Sequence, residues 1–354
     1  MIKVKKKYNF CYTASFTSKI ISPKNIKELK KYLVKDFTII GNLRSYGDTF
    51  IGSGRYISLS NFRKIINLDI KKKIIEIETG VSLKEMNDTI FKKGLILECM
   101  PGCKYVSIGG MISNNISGKL LFQNKLKNYI HSLKLINNKN KIIECSPYKN
   151  KKLFDLTIGG MGRTGPIISA KLKLKKLNSS LINQKIYTFQ SYTNFLKLIS
   201  KINKFKYGVC WIDFTKKNFD GIIFLGSHLN IKGEKNYSYS DLKMPNIIVL
   251  ILSIFLKIKL TTKIFNYIFK LKNIIIPNKV LNLNSYFFPQ NKILNWNDFF
   301  KSEGFIQFQI YFKTKDLNKI IETIKEEMSK YNIFSNFAVI KFFSDKKNKH
   351  DKLS

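Results

Sequence analysis

Ser107-Ile108-Gly109-Gly110-Met111-Ile112-Ser113-Asn114-Asn115-Ile116-Ser117-Gly118-Lys119, with Pro101-Gly102 just ahead, is a run in which glycine recurs among small hydroxyl and amide residues. Glycine admits positive φ and puts no Cβ between a backbone N–H and an approaching anion. Several such amides in series form a concave cradle for phosphate that needs no side-chain charge. Two further runs flank this one. Ile39-Ile40-Gly41-Asn42-Leu43-Arg44-Ser45-Tyr46-Gly47-Asp48-Thr49 follows a short β run beginning at Phe37, and Gly159-Gly160-Met161-Gly162-Arg163-Thr164-Gly165-Pro166-Ile167-Ile168 closes the set. Ser45, Ser107, Ser117 and Thr164 add short-range donors. Any one run reads equally as a set of turns. Three in one stretch exceed what a mononucleotide needs and suit a dinucleotide with a large ring system. The chain has no GxGxxG placed between strand and helix and no P-loop GxxxxGK[ST].

The segments around these runs alternate short strands with glycine. Tyr56 to Leu59 and Ile74 to Glu78 carry the period-two pattern of strands, the second ended by Gly80. Ser82 and Glu85 form a capping box, which predicts a helix from Leu83 to Lys93 stopped by Gly94. Leu133 to Ile136 and Lys141 to Glu144 flank Asn137-Asn138-Lys139-Asn140, a hairpin pattern. From Ser180 onward the glycine clusters vanish, and apolar runs alternate with lysine-rich helices such as Asp316 to Lys330. The boundary is placed near Leu177 to Ser180, giving domains 1–178 and 179–354.

The formal charge of +40 raises nucleic acid as a partner. Against it, Arg44, Arg55, Arg63 and Arg163 are the only arginines among 63 basic residues. Recognition of bases and phosphates favours arginine's bidentate fork, so the charge reads as compositional drift and no nucleic-acid partner is expected. Cys11, Cys99, Cys103, Cys145 and Cys210 form no CxxC pair, and with three histidines no zinc site can be assembled. Reduced thiols and a lysine-rich N-terminus without an apolar core predict a cytoplasmic protein. Ile247 to Leu256 reads IIVLILSIFL with Lys257, Lys259 and Lys263 behind it. It is shorter than the roughly 20 residues a membrane span needs. It reads as a buried helix, or as an apolar segment lying on a membrane surface or holding a lipid tail.

RSYGD at Arg44 to Asp48, MPGCKYVSIGGMISNNISGK at Met100 to Lys119 and GGMGRTGPI at Gly159 to Ile167 resemble, in this order, the FAD-binding domain of the vanillyl-alcohol oxidase (PCMH-type) superfamily, and within it the decaprenylphosphoryl-ribose oxidase group. Cys210 to Asp213, Ile293 to Phe299 and Gly304 to Gln309 are similar to that group too. The resemblance implies an α+β fold: a PCMH-type domain of two subdomains clasping FAD, then an α+β substrate domain with an antiparallel sheet. It implies FAD lined by Ile39, Ile40, Gly41, Asn42, Leu43, Arg44, Ser45, Tyr46, Gly47, Asp48, Thr49, Gly102, Ser107, Ile108, Gly109, Gly110, Asn114, Asn115, Ile116, Ser117 and Ile167.

The implied reaction is oxidation of a secondary alcohol of a sugar on a polyprenyl-phosphate carrier, as half of an epimerisation completed by a partner reductase. Substrates of the aldonolactone or polyol kind are the alternative, and a catalytically impaired flavin-binding fragment is another. The resemblance nominates Tyr46, Gln307 and Lys341 for catalysis and Trp211, Gln307 and Gln309 for substrate binding, and alternation would place both glutamines on one strand face opposite Phe308. Three departures stand out. Leu43 replaces a usual glycine and Ser117 a frequent histidine. Residues 39–49 hold neither His nor Cys, the covalent flavin anchors of many relatives, so the flavin is expected to be non-covalent. The family continues beyond the match at Ala338 to Lys341 into a tail with a catalytic lysine, whereas here a polar run, Asp345 to Lys352, precedes Ser354, so those final elements are expected to be missing.

Overall fold

The computed structural model describes residues 6–33, 37–52, 55–122, 125–230 and 241–342. The polar run Asp345 to Lys352 and Met1 to Lys5 lie outside them. The N-terminal half builds two main sheets. In the first, Arg55–Ser58 is flanked in parallel by Ile20–Ile21 and Phe37–Ile40. Leu29 of helix Ile26–Tyr32 packs with Ile57, Leu59, Phe62, Ile136 and Ile168, which ties this layer to the second sheet. The second is antiparallel throughout, in the order Ile142–Cys145, Ile130–Ile136, Ile167–Lys173, Ile74–Glu78, Ile65–Asp69. Alternation decides its faces: Ile75 and Ile77 are buried while Ile74, Glu76 and Glu78 keep some exposure.

Local signals account for the connections. Glu85 N donates to Ser82 Oγ at 3.2 Å and Ser82 N donates to Glu85 Oε2 at 2.8 Å, so the capping box forms in both directions. The helix it starts is Leu83–Ile90, burying Leu83, Met86, Asn87 and Ile90. The predicted stretch to Lys93 tightens into a 3-10 turn, Phe91–Lys93, because Gly94 at φ 68 already turns the chain away. In the hairpin, Lys139 N and Lys141 N both donate to Asn137 Oδ1, at 3.0 and 2.9 Å.

The second half is an antiparallel sheet ordered Asn278–Asn282, Leu181–Phe189, Gly221–His228, Tyr207–Ile212, Ala338–Ile340. Helices Tyr192–Ile199 and Leu317–Lys330 cover one face through Phe195, Leu317 and Ile321. On the other face Ile186, Trp211 and Ile222 meet Phe269 of helix Lys259–Ile275. Ile182, Tyr207, Leu283 and Phe287 share a core with Ile77 and Met111. A division at residue 178 is therefore a proposal about folding units across one continuous core.

Two expectations need correction. Residues 304–313 form no strand, and Ile306 and Phe308 are 88% and 77% exposed. Alternation suits a strand, but with no strand beside it among the described residues the ladder's hydrogen bonds have no partners there. The segment Ile247 to Leu256 is helical, as Asn246–Leu256, yet only Val249 in it is buried, which removes the buried-helix reading.

Candidate functional site

Each glycine run sits at a junction. The first leaves the parallel strand Phe37–Ile40, and the second forms the helix Ile108–Ser113, capped by Ser107. The third joins helix Lys151–Thr157 to strand Ile167–Lys173. The three runs meet. A Cβ on Gly41 would collide with the Ser107 hydroxyl, and Asn42 Nδ2 donates to Tyr105 O at 2.9 Å. Gly159 N donates to Ile112 O and Met161 N to Ser113 O, both at 3.0 Å, which fastens the third run to the far end of the second run's helix. A Cβ on Gly159 would lie 3.3 Å from Asn115 Cβ. Behind them Gly109 N donates to Thr79 O at 2.9 Å, while the Thr79 hydroxyl donates to Ile167 O. Ile39 and Ile40 contribute core side chains and aim the loop that follows.

Parts of this assembly stay open. A Cβ on Gly47 or Gly102 would meet nothing within 4 Å. Leu43 holds φ 52, the left-handed conformation a glycine would adopt there. Arg44 lies between two rings, its guanidinium 5.3 Å from the Phe10 centroid and 5.5 Å from that of Tyr105. Its Nε is buried without a hydrogen-bond partner among the described residues, as is Thr164 Oγ1. Unpaired buried polar groups cost free energy, and an anionic ligand bearing hydroxyls and phosphates would satisfy them. A dinucleotide such as FAD fits this donor set. Arg163, by contrast, is exposed.

Tyr46 stacks on Phe10 at 5.5 Å and meets Phe305 edge-on at 5.4 Å. Burial holds its hydroxyl well above the ordinary phenol range, so at neutral pH it is a proton-bearing donor and not a base. Burial also raises the Cys103 thiol and pushes Cys11 up to about 12, which suppresses both thiolates.

A second cluster lies at the end of the middle run. A Cβ on Gly118 would press on Met100 O at 2.8 Å, so the chain passes close here. Lys119 Nζ donates to Tyr286 O and sits 5.0 Å from that ring's centroid. Burial first, then repulsion from Lys341, pushes the Lys119 amine down to about 7. Lys341 Nζ donates to Ser117 O at 3.3 Å, and burial lowers its pKa too. Two amines thus share one enclosed place without forming an ion pair with a carboxylate among the described residues.

The structure brings together the three loops with Tyr46, and Ser117 with Lys341. It places Trp211 in the sheet's core, 3% exposed and edge-on to Phe269 at 5.2 Å. Gln307 and Gln309 are exposed, Gln309 Nε2 donating to the Tyr311 hydroxyl at 2.8 Å. Lys119 was given no role from the sequence, although its place directly after Gly118 in the strap was a signal. Phe10 left none, since its contact with Arg44 spans separate elements. Among the described residues no group of His, Cys, Asp and Glu could hold a metal ion.

Comparison with known proteins points to FAD as the cofactor. Residues 20–146 match the family model of the FAD binding domain. Decaprenylphosphoryl-beta-D-ribose oxidase of Mycolicibacterium smegmatis is 24% identical over 315 residues, 85% of this chain and 68% of that protein. D-arabinono-1,4-lactone oxidase of Yarrowia lipolytica is 22% identical over 48% of this chain, and L-gulonolactone oxidase of Bos taurus 23% identical over 43%. The chain spans 34% and 36% of the length of these two lactone oxidases.

Proposed function

We propose that this chain, an FAD-dependent oxidoreductase carrying an FAD-binding domain, oxidises a secondary alcohol of a sugar held on a polyprenyl-phosphate carrier. The observation that carries the reading is the pair of enclosed amines, Lys119 and Lys341, at the end of the glycine strap. FAD, when bound, supplies the hydride acceptor. The chain's own residues supply position and proton management. Amides of the first run, residues 42–49, with Arg44, would hold the diphosphate, while the amides of residues 108–110 are spent on Val81 O, Thr79 O and the Ser107 hydroxyl and fix the second run in place. Lys119, titrating at about 7, is present in both forms near neutrality. Neutral, it accepts the carbinol proton; charged, it or Lys341 holds a phosphate oxygen. Tyr46 would donate a hydrogen bond to a ring heteroatom.

The suppressed thiols of Cys11 and Cys103, and the lack of His or Cys at residues 39–49, support non-covalent retention of the flavin. Oxidation at a stereocentre gives a ketone, and a partner reductase returning hydride to the opposite face would complete an epimerisation. Absorption of the purified protein, before and after denaturation, tests the cofactor: flavin bands should leave with the denatured supernatant. Mixing with a polyprenylphosphoryl pentose without oxygen should then bleach the bands. Bleaching by free aldonolactones or polyols instead would move the substrate to that class, and a colourless protein would end the flavin reading.

A further inference from the structure

Helix Lys259–Ile275 is built inside out. Its buried residues are Thr262, Asn266, Lys270 and Asn273, a single polar stripe at helical spacing. Lys270 Nζ donates to both oxygens of Asp220, at 2.6 and 2.7 Å, and Asn266 Nδ2 donates to Asp213 Oδ1 at 2.8 Å. The outward face carries Phe265, Ile268 and Ile275, 60%, 58% and 68% exposed. The preceding helix Asn246–Leu256 likewise turns Ile247, Leu250 and Ile251 outward. A helix bathed in water sorts its side chains the other way. A contiguous apolar surface of this kind marks contact with a partner or a membrane.

Charge selects the partner. From residue 242 to residue 297 the sequence contains no Asp or Glu, and Lys243, Lys259, Lys263 and Lys272 are exposed around the two helices, while Lys257 pairs with Glu303 at 2.6 Å. A second copy of this chain would bring its own lysine rim against the first, with +40 on each molecule opposing the approach. No described helix is long and apolar enough to cross a membrane. We propose that this helical pair docks the protein on an anionic phospholipid bilayer. The apolar face sinks to the level of the head groups, and the lysines meet lipid phosphates. The buried polar stripe fits the same arrangement, since it anchors the pair to the sheet through Asp213 and Asp220 and leaves the apolar residues free for lipid.

Vesicle sedimentation of the full chain tests this, with phosphatidylcholine alone and with phosphatidylglycerol added. The protein should follow the phosphatidylglycerol vesicles, and salt should weaken that binding. Replacing two exposed residues together, Ile251→Asp with Phe265→Asp, should lower the bound fraction at least about tenfold with flavin absorption unchanged. Lys259→Glu with Lys263→Glu should lower binding and flatten its salt dependence. The proposal is overturned if the natural chain stays in the supernatant, or if the aspartate pair binds as well as it does. It is equally overturned if the natural chain is a dimer that the aspartate pair dissolves, which would give this face to a second copy. The flavin spectrum reads the cofactor assignment separately, so either can fail alone.

Discussion

Helices Leu83–Ile90 and Lys259–Ile275 sort their side chains by opposite rules. The first buries Leu83, Met86 and Ile90 and is started by a reciprocal cap. The second buries Thr262, Asn266, Lys270 and Asn273, has no side-chain cap, and turns isoleucine and phenylalanine outward. One is shaped by the protein's own core, which needs apolar surface. The other is held by two aspartates of the neighbouring sheet, which need donors. Hydrophobic patterning therefore reports what a helix faces only when its partner is known. The glycine-run half is legible outward from its own sequence, whereas helix Lys259–Ile275 makes sense only once Asp213 and Asp220 stand against Asn266 and Lys270.

The sharpest way to break this contrast is to remove the inverted helix's anchor. Lys270→Met leaves Asp220 with Lys216, at 3.3 Å, as its remaining ion-pair partner among the described residues, and should cost about 3 kcal/mol in a urea unfolding series. Lys270→Met with Asp220→Leu should recover much of that, because no lone charge stays buried. A loss well below about 1 kcal/mol for the single change would mean that water reaches the pair and the helix is loosely held.

Next comes the pair of matched truncations. Leu83→Ala removes a fully buried side chain and should cost about 3 kcal/mol. Leu271→Ala, 43% exposed on the inverted helix, should change stability by less than about 0.5 kcal/mol in vesicle-free buffer. Equal costs would show that the outward face is already covered by protein in solution.

Lysine burial offers a third comparison. Lys270 has a carboxylate opposite it, while Lys119 has Lys341. The Lys119 pKa is lowered from 10.5 to about 7, so between those pH values the folded state binds fewer protons than the unfolded one. Stability therefore rises with pH across that window, and the burial penalty is largest below pH 7. One such group contributes at most about 1.4 kcal/mol per pH unit. Lys119→Met should reduce the slope of the unfolding free energy against pH, measured by urea titrations at a series of pH values, by up to that amount. An unchanged slope would place the Lys119 amine in water.

Much of the first half was legible because its signals are local. Ser82 and Glu85 fixed a helix start, alternation fixed Ile74–Glu78, and Asn137 with its following residues fixed a turn. The convergence of the three glycine runs was expected from resemblance and appears in contacts such as Gly41 against Ser107. The rest depends on distant partners. Phe308 reads as a strand residue, but no strand lies beside it among the described residues. Lys119 owes its lowered pKa first to burial and then to Lys341, far away in the chain, and its sequence neighbours announce neither.

The smallest expected effect lies back in the glycine runs. Leu43 holds a left-handed backbone, φ 52, at a place where glycine would be at ease. An L-residue there costs about 1 kcal/mol. Part of that is returned, since the side chain packs partly against the core of Phe16, Ile40 and Tyr56. Leu43→Gly removes the strain and the packing together, and it also loosens the unfolded chain by about 0.5–1 kcal/mol. The net change in unfolding free energy should stay within about 1 kcal/mol, with flavin affinity, followed by fluorescence titration, held or improved. Leu43→Val should fare worse on both, because a branched Cβ tolerates this conformation least. If glycine instead costs more than about 2 kcal/mol or releases the flavin, the leucine side chain matters more than the path of the backbone. The first loop would then act through its side chains and not as a cradle of bare amides.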